Sequence, residues 1–587
     1  MRKPVRLLII ALVFILVGGL LASLVQTDFG NVKVRDIRFV GSNGTVMSAL
    51  LYVPKGVTAK NPAPGIVAIH GYINSRETQD GFAIEFARRG YVVLAPDQTG
   101  HGYSDGPAFA NGFGGPDALA YLHSLDIVDK NNIGLEGHSM GGWAIGVAAG
   151  ILPDDYKAMV LEGSSTGTLG APDGTPTFPH NLALVYSKFD EFSALMWLTD
   201  VPGDIGKGQK LQTLFGTTSE VKPNTQYGSI ADGTARIWYQ PISTHPGDHI
   251  STAAIGDAIS WFQQTLQGGN NLPASNQTWY WKEIGNLIAL IGMIMLLFPA
   301  GELLLQTKFF IELVELPVPS RGATGAGWWV AAILFVIIAP LTFLTFTQIG
   351  ANLKWTVTAL FPQDINNSII IWTTLIGLID VILFLIWHFL LNRKAQATGD
   401  NYGLTWNQKL KWSKIGKSFL LAFLIVFTGY AALMFSDYFF KTDFRFWVFA
   451  VKLLDPLQLR ITLSYVIPFI FIFFMDAVLV FGELRRSNIT LAKEMWLNEA
   501  LYVLGYIALL LVQYIPLLAG GTLFNASGTN VPLYSIVAFQ LLPIMTIAAL
   551  VSTYFNRKTG HIYVAAFVVG MLVTWIVVAS TAIQFAF

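Results

Sequence analysis

The sequence predicts two joined fold classes: an α/β domain, with a mostly parallel sheet and helices on both faces, and an all-α polytopic membrane domain. Three observations carry this. An apolar run opens the chain, residues 31–267 alternate short β-branched runs with helix-length amphipathic segments, and from residue 281 onward long apolar stretches recur. With 53% hydrophobic and 13% charged residues among 587, the chain is too apolar for a wholly water-soluble protein of this length. A formal net charge of +0 gives no general attraction to nucleic acid or to acidic ligands. The lack of cysteine excludes disulfides, thiolate metal sites and a cysteine nucleophile, and no metal or organic cofactor is implied.

Met1, Arg2, Lys3 and Arg6 flank an apolar run from Leu7 to about Val25, close to the ~20 residues that cross a bilayer as a helix. No small-x-small site closes the run, so residues 1–30 are expected to remain as an anchor rather than leave as a signal peptide. Residues 268–280, opening on Gly268-Gly269-Asn270-Asn271, read as a linker. Residues 281–587 hold about eight further spans, near 281–305, 328–350, 367–391, 418–440, 462–482, 499–521, 533–555 and 563–585.

Basic residues set the expected orientation. Loops 306–327, 392–417, 483–498 and 556–562 include Arg393, Lys394, Lys409, Lys411, Arg485, Arg486, Arg557 and Lys558, which places them in the cytoplasm and the α/β domain on the extracytoplasmic face of a multi-pass cell-membrane protein. Loop 441–461 carries Lys441, Arg445, Lys452 and Arg460 and opposes this, although its apolar-basic alternation suits a helix lying on anionic headgroups. Trp281, Trp328, Trp329, Trp355 and Trp496 lie near span ends and read as interfacial anchors. Glu302 and His388 also lie near span ends, whereas Asp380 and Asp476 fall deep within spans, where a charge costs at least ~2.5 kcal/mol and demands a partner or water.

The chemistry is concentrated in the α/β domain. Ile133-Gly134-Leu135-Glu136 reads as a strand running into Gly137-His138-Ser139-Met140-Gly141-Gly142 and then into a helix-forming stretch from Trp143 to Ala149. This is the pattern of a nucleophile elbow, in which glycines flank a serine held in a strained turn and the helix N-terminus faces a developing anion. Ile66-Val67-Ala68-Ile69 is a buried strand ending in His70-Gly71-Tyr72. The amides of Tyr72 and Met140 can there form an oxyanion hole. A second strand, Val92-Val93-Leu94-Ala95-Pro96, leads into Asp97-Gln98-Thr99-Gly100-His101-Gly102-Tyr103-Ser104. His70, His101 and His138 read as supports of these turns rather than as catalytic groups.

With these three ordered motifs, residues 32–267 resemble the α/β-hydrolase superfamily, in the branch of monoacylglycerol-lipase-like and serine-aminopeptidase-like enzymes. The resemblance implies the chain order Ser, acid, His, with the His a few residues beyond the last strand. Arg236-Ile237-Trp238-Tyr239 reads as that strand. The family's Pro-x-x-x-His turn then selects His245 as base, with His249 as the alternative. Leu211-Gln212-Thr213-Leu214-Phe215-Gly216 reads as the penultimate strand, but the family's Gly-x-x-Asp position here holds Ser219. Glu220 is therefore the expected acid, ahead of Glu162 and Asp248. Residues 163–210, with a helix over about Asn181–Leu198, read as a cap over the site.

The resemblance implies a membrane-bound serine hydrolase, esterase- or lipase-like, that cleaves ester or amide bonds of small-molecule, lipid or peptide substrates through Ser139, His245 and Glu220. The alternative is a transporter or lipid-handling membrane protein that carries the hydrolase fold as an accessory or non-catalytic domain.

Overall fold

The structure, a computed structural model, describes residues 3–353, 357–525 and 530–587; Met1, Arg2 and Trp355 lie outside the described residues. The chain enters through α1 (Lys3–Gln26), a helix with no charged residue beyond its first turn. An eight-stranded sheet follows: β1 (Val32–Val40), β2 (Val46–Pro54), β3 (Ala63–Ile69), β4 (Val92–Pro96), β5 (Val128–His138), β6 (Ala158–Glu162), β7 (Leu182–Val185) and β8 (Arg236–Tyr239). Its order is β1-β2-β4-β3-β5-β6-β7-β8, with β2 antiparallel to both neighbours and every later pair parallel.

Alternation along the strands divides the core in two. Val67, Ile69 and Leu94 pack on one face against Leu119 and Leu122 of α3 (Gly115–Ser124) and Ile145 and Ala148 of α4 (Met140–Ile151). Ile66, Ala68 and Val93 pack on the other against Phe82 and Phe86 of α2 (Asp80–Arg88) and Trp261 and Phe262 of α7 (Thr252–Thr265). A two-residue period on strands buried on both faces is what parallel βαβ crossovers require.

Two assignments between β6 and β8 are corrected. The stretch 181–198 contains β7 and the short helix α5 (Ser193–Trp197), and 209–215 is a helix, α6 (Gln209–Phe215), that ends at Gly216 with φ +66°. Leu211, Leu214 and Phe215 are its buried side; this three-to-four-residue spacing fits one helix face as readily as a short strand. Leu182–Val185 is the true penultimate strand, its four residues all buried between β6 and β8.

The membrane domain comprises α8 (Tyr280–Leu305), α9 (Gly325–Asn352), α10 (Asp364–Trp387), α11 (Trp412–Phe440), α12 (Pro456–Val478), α13 (Leu491–Leu518), α14 (Asn530–Thr559) and α15 (Tyr563–Ala579). Among the described residues eight helices, α1 included, are long and apolar enough to cross a membrane, and α15 is a shorter apolar helix of 17 residues. The chain is thus a multi-pass design by length and composition. α1 lies along α8, and a Cβ on Gly18 would come within 2.5 Å of the Gly285 carbonyl and the Ala289 amide. Such backbone proximity is how helices associate where water supplies no driving force. Trp281, Trp329 and Trp496 are exposed as anchors should be, whereas Trp328 is buried and donates to the Leu484 carbonyl at 2.8 Å.

The basic loop 441–461 is not an interfacial helix. It folds into a hairpin of β9 (Phe444–Phe446) and β10 (Phe449–Val451) that docks on the α/β domain. Arg445 approaches Glu77 at 3.6 Å and donates to Thr78, and Lys452 reaches Glu77 at 3.3 Å. Glu77 is further paired with Arg76, which also binds Asp36. Burial works to raise the Glu77 pKa, but Lys452, Arg76 and Arg445 together hold its carboxyl well below the usual range. Lys452, and Arg445 after its own pair with Asp443, therefore face a carboxylate of the α/β domain rather than lipid headgroups.

Candidate active site

The elbow follows from local sterics. Ser139 sits between β5 and α4 at φ +54° and ψ −120°, a strained conformation for a residue with a side chain. A Cβ on Gly137 would lie 2.4 Å from the Gly141 carbonyl, and one on Gly141 would lie 2.1 Å from the Ile69 carbonyl, so neither position tolerates alanine. The Ser139 amide donates to the Glu162 carbonyl at 2.9 Å, and the Ser164 hydroxyl donates to the Ser139 carbonyl at 2.6 Å. The strained turn is thereby fixed to the end of β6.

His245 lies on the loop after β8, fully buried, and its Nδ1 pairs with Asp190 Oδ2 at 2.8 Å. Asp190 follows β7, and its other oxygen accepts from the Phe192 amide at 2.8 Å and the Tyr186 hydroxyl at 3.0 Å. A buried carboxylate with three donors is well placed to orient an imidazole and to stabilise its cation. Burial opposes charging of His245, yet Asp190 outweighs it, so the imidazole titrates above its ordinary value. The His245 amide donates to Glu191 at 2.8 Å, and the His245 carbonyl is held by His138 Nε2 at 3.0 Å.

The expected acid does not occupy this position. Glu220 is exposed and pairs with Lys222 at 2.6 Å, because the segment that carries it follows a helix rather than a strand. Among the described residues neither carboxylate oxygen of buried Glu162 is hydrogen-bonded, and burial together with Asp248 pushes it well above the carboxylate range. Asp248 accepts from the Ser187 hydroxyl, and burial, reinforced by Asp190, raises it likewise. Among the described residues neither ring nitrogen of His249 is bonded, and burial, then His245, lowers it to about 3. Asp190 was legible only as the acidic residue that follows the short run Leu182–Val185, which sequence periodicity had absorbed into a helix.

Ser139, His245, Tyr72 and Met140 border one cavity of about 370 Å³. Met140 is the first residue of α4, so its amide has no carbonyl to meet within the helix. The Tyr72 hydroxyl accepts from Gln584 at 2.8 Å, which ties the neighbouring turn to the segment after α15. His70 and His101 hold turns as expected: His70 Nδ1 meets the Gly71 carbonyl at 2.7 Å and its Nε2 accepts from the Gln98 amide at 3.1 Å, while His101 Nδ1 meets the Thr99 carbonyl at 3.0 Å. Part of the cavity wall comes from the helical domain, through Trp447, Val448, Leu533, Ile536 and Gln540. Trp447 Nε1 donates to the Pro246 carbonyl at 2.7 Å, directly beside His245. Nothing in the sequence marked these distant residues as neighbours of Ser139.

Residues 64–287 match the family model of the alpha/beta hydrolase fold. Uncharacterized proteins of Mycobacterium bovis and Mycobacterium tuberculosis are 35% identical over 86 residues, which is 14% of this chain and 23% of theirs, so the match spans less than a quarter of the relatives' length. Among solved structures, a bacterial heroin esterase is 19% identical, covering 43% of this chain and 89% of its own with a TM-score of 0.32. A predicted CIB-like hydrolase from Thermoplasma acidophilum is 16% identical, covering 40% and 99%, with a TM-score of 0.29.

Proposed function

From a chain whose soluble domain has the alpha/beta hydrolase fold, we propose a membrane-bound serine hydrolase that cleaves ester or amide bonds on the extracytoplasmic face, with Ser139 as nucleophile, His245 as base and Asp190 as acid. The observation that carries the reading is that His245, paired with buried Asp190, borders the same cavity as the strained Ser139. His245 takes the Ser139 proton as Oγ attacks the substrate carbonyl. The Met140 and Tyr72 amides receive the oxyanion. Collapse of that intermediate expels the alcohol or amine, which leaves with the proton from His245. Water then attacks the acyl-serine and gives its proton to His245, and collapse of the second intermediate returns that proton to Ser139 Oγ as the acid is released.

Orientation follows from charge. The connections opposite the hydrolase domain hold Arg393, Lys394, Lys409, Lys411, Arg485 and Arg486, the bias that marks a cytoplasmic face. On the hydrolase side, Arg445 and Lys452 are engaged with Glu77 and do not weigh against it. A membrane-impermeant fluorophosphonate applied to intact cells tests both statements, comparing wild type with Ser139→Ala at equal expression. Labelling that the variant loses is expected. Labelling only after lysis would reverse the topology, and no labelling in either preparation would remove the catalytic reading.

A further inference from the structure

The wall that the membrane domain lends to the cavity has a direction. Asn530, Leu533, Ile536 and Gln540 recur at intervals of three and four residues, so they form one stripe on α14. From Asn530 to Gln540 that stripe runs ~15 Å along the helix axis, half the ~30 Å hydrocarbon thickness of a bilayer. Leu195 and Met196 of α5, on the segment that follows the acid, line the same cavity. The cavity that Ser139 borders is thus lined by about three turns of a membrane-spanning helix. An acyl pocket built only from the soluble domain would have no reason to descend along α14.

We propose that the substrate is an acyl ester or amide of an amphiphile resident in the outer leaflet, its apolar chain lying between α5 and the α14 stripe while its carbonyl reaches Ser139. The proposal rests on the serine-hydrolase reading above and assigns its substrate class. The chain exchanges one apolar environment for another, so entry from the bilayer needs no transit through water. Leu533 and Ile536 are specificity-determining residues, since each faces the chain and neither touches the reacting carbonyl. Gln540 places a polar amide at the far end of the stripe and sets the depth that a saturated chain can reach.

The test uses the full chain in phosphatidylcholine vesicles, with 4-methylumbelliferyl laurate dissolved in the bilayer and 4-methylumbelliferyl butyrate supplied from water. The expected result is a kcat/KM ratio, laurate over butyrate, of at least tenfold in the wild type. Leu533→Trp and Ile536→Trp, which fill the cavity, bring that ratio down towards one, whereas Leu511→Trp, on an exposed position of α13, leaves it unchanged. Fluorophosphonate labelling of Ser139 in each variant reports that the hydrolase domain has folded. A ratio that neither cavity variant alters, with Ser139 still labelled, overturns the substrate assignment and leaves the hydrolase reading standing. Wild-type protein that is never labelled overturns both.

Discussion

The hydroxyl of Tyr514, on α13 of the membrane domain, donates a 2.7 Å hydrogen bond to Glu191, whose other carboxylate oxygen accepts from the His245 amide at 2.8 Å. One spanning helix thus reaches the base loop through a single side chain. Trp447 grips the next residue of that loop through the Pro246 carbonyl. The large membrane domain is a structural part of the site rather than a tether, and the predictions follow from that arrangement.

Asp190→Asn should lower kcat by about 10³–10⁴-fold, because the amide cannot stabilise the His245 cation and favours the wrong tautomer. Glu220→Gln, at an exposed residue paired only with Lys222, should stay within about twofold of wild type. Initial rates on a short-chain ester check both. A large loss in Glu220→Gln with Asp190→Asn near wild type would return the acid to Glu220.

The acid limb of kcat/KM should report His245, which must be neutral to act as base. Asp190 raises its pKa, so activity rises with pH through a midpoint above 6.5, and Asp190→Asn moves that midpoint down. His249→Gln should keep the midpoint, since His249 is lowered to about 3 and is neutral throughout the working range. A pH–rate profile of the three proteins gives the answer.

Glu191 provides a stability test. Burial, then Asp190, raises its pKa to about 7, against opposition from His245 and Tyr514. The folded state therefore holds a proton that the unfolded chain, titrating near 4.5, has released. That contribution is complete below pH ~4.5 and is lost as pH rises through about 7. Glu191→Gln has no such loss, so its melting temperature should gain on the wild type between pH 5 and pH 8, by the equivalent of on the order of 3 kcal/mol. A difference that stays flat across this range refutes the assignment.

Lys452→Met removes one of the cations around buried Glu77 and should destabilise the docked hydrolase domain by about 3–5 kcal/mol. Limited proteolysis should cut the 268–280 segment faster. Adding Glu77→Gln should recover much of the loss, because the uncompensated charge is then gone. If the second substitution deepens the defect, the cluster is held by packing rather than by charge.

Much of the fold was legible because its signals are local. Gly137 and Gly141 announce the elbow through contacts that no other residue permits, and the long apolar helices reveal themselves by length alone. His245 lies just past a strand whose residues all read as β. Asp190 was hidden because β7 is only four residues long, is followed closely by the helical turn of α5, and is separated from β8 by a competing apolar run that folds as α6. The hairpin at 444–451 was hidden for another reason: Arg445 and Lys452 are positioned by carboxylates more than three hundred residues earlier in the chain. Charge partners at that separation leave no periodicity.

The hydrogen bond from Gln584 to Tyr72 joins residues 512 positions apart. A ribosome makes the hydrolase sheet long before it makes Trp447, Leu533 or Gln584, and domains generally fold in the order in which they emerge. The nascent domain can hold Ser139, Asp190 and His245 while its cavity still lacks a wall. The timing of translation thus delays assembly of the complete cleft until the helices that bring it to its membrane are in place, a schedule written into the order of the polypeptide.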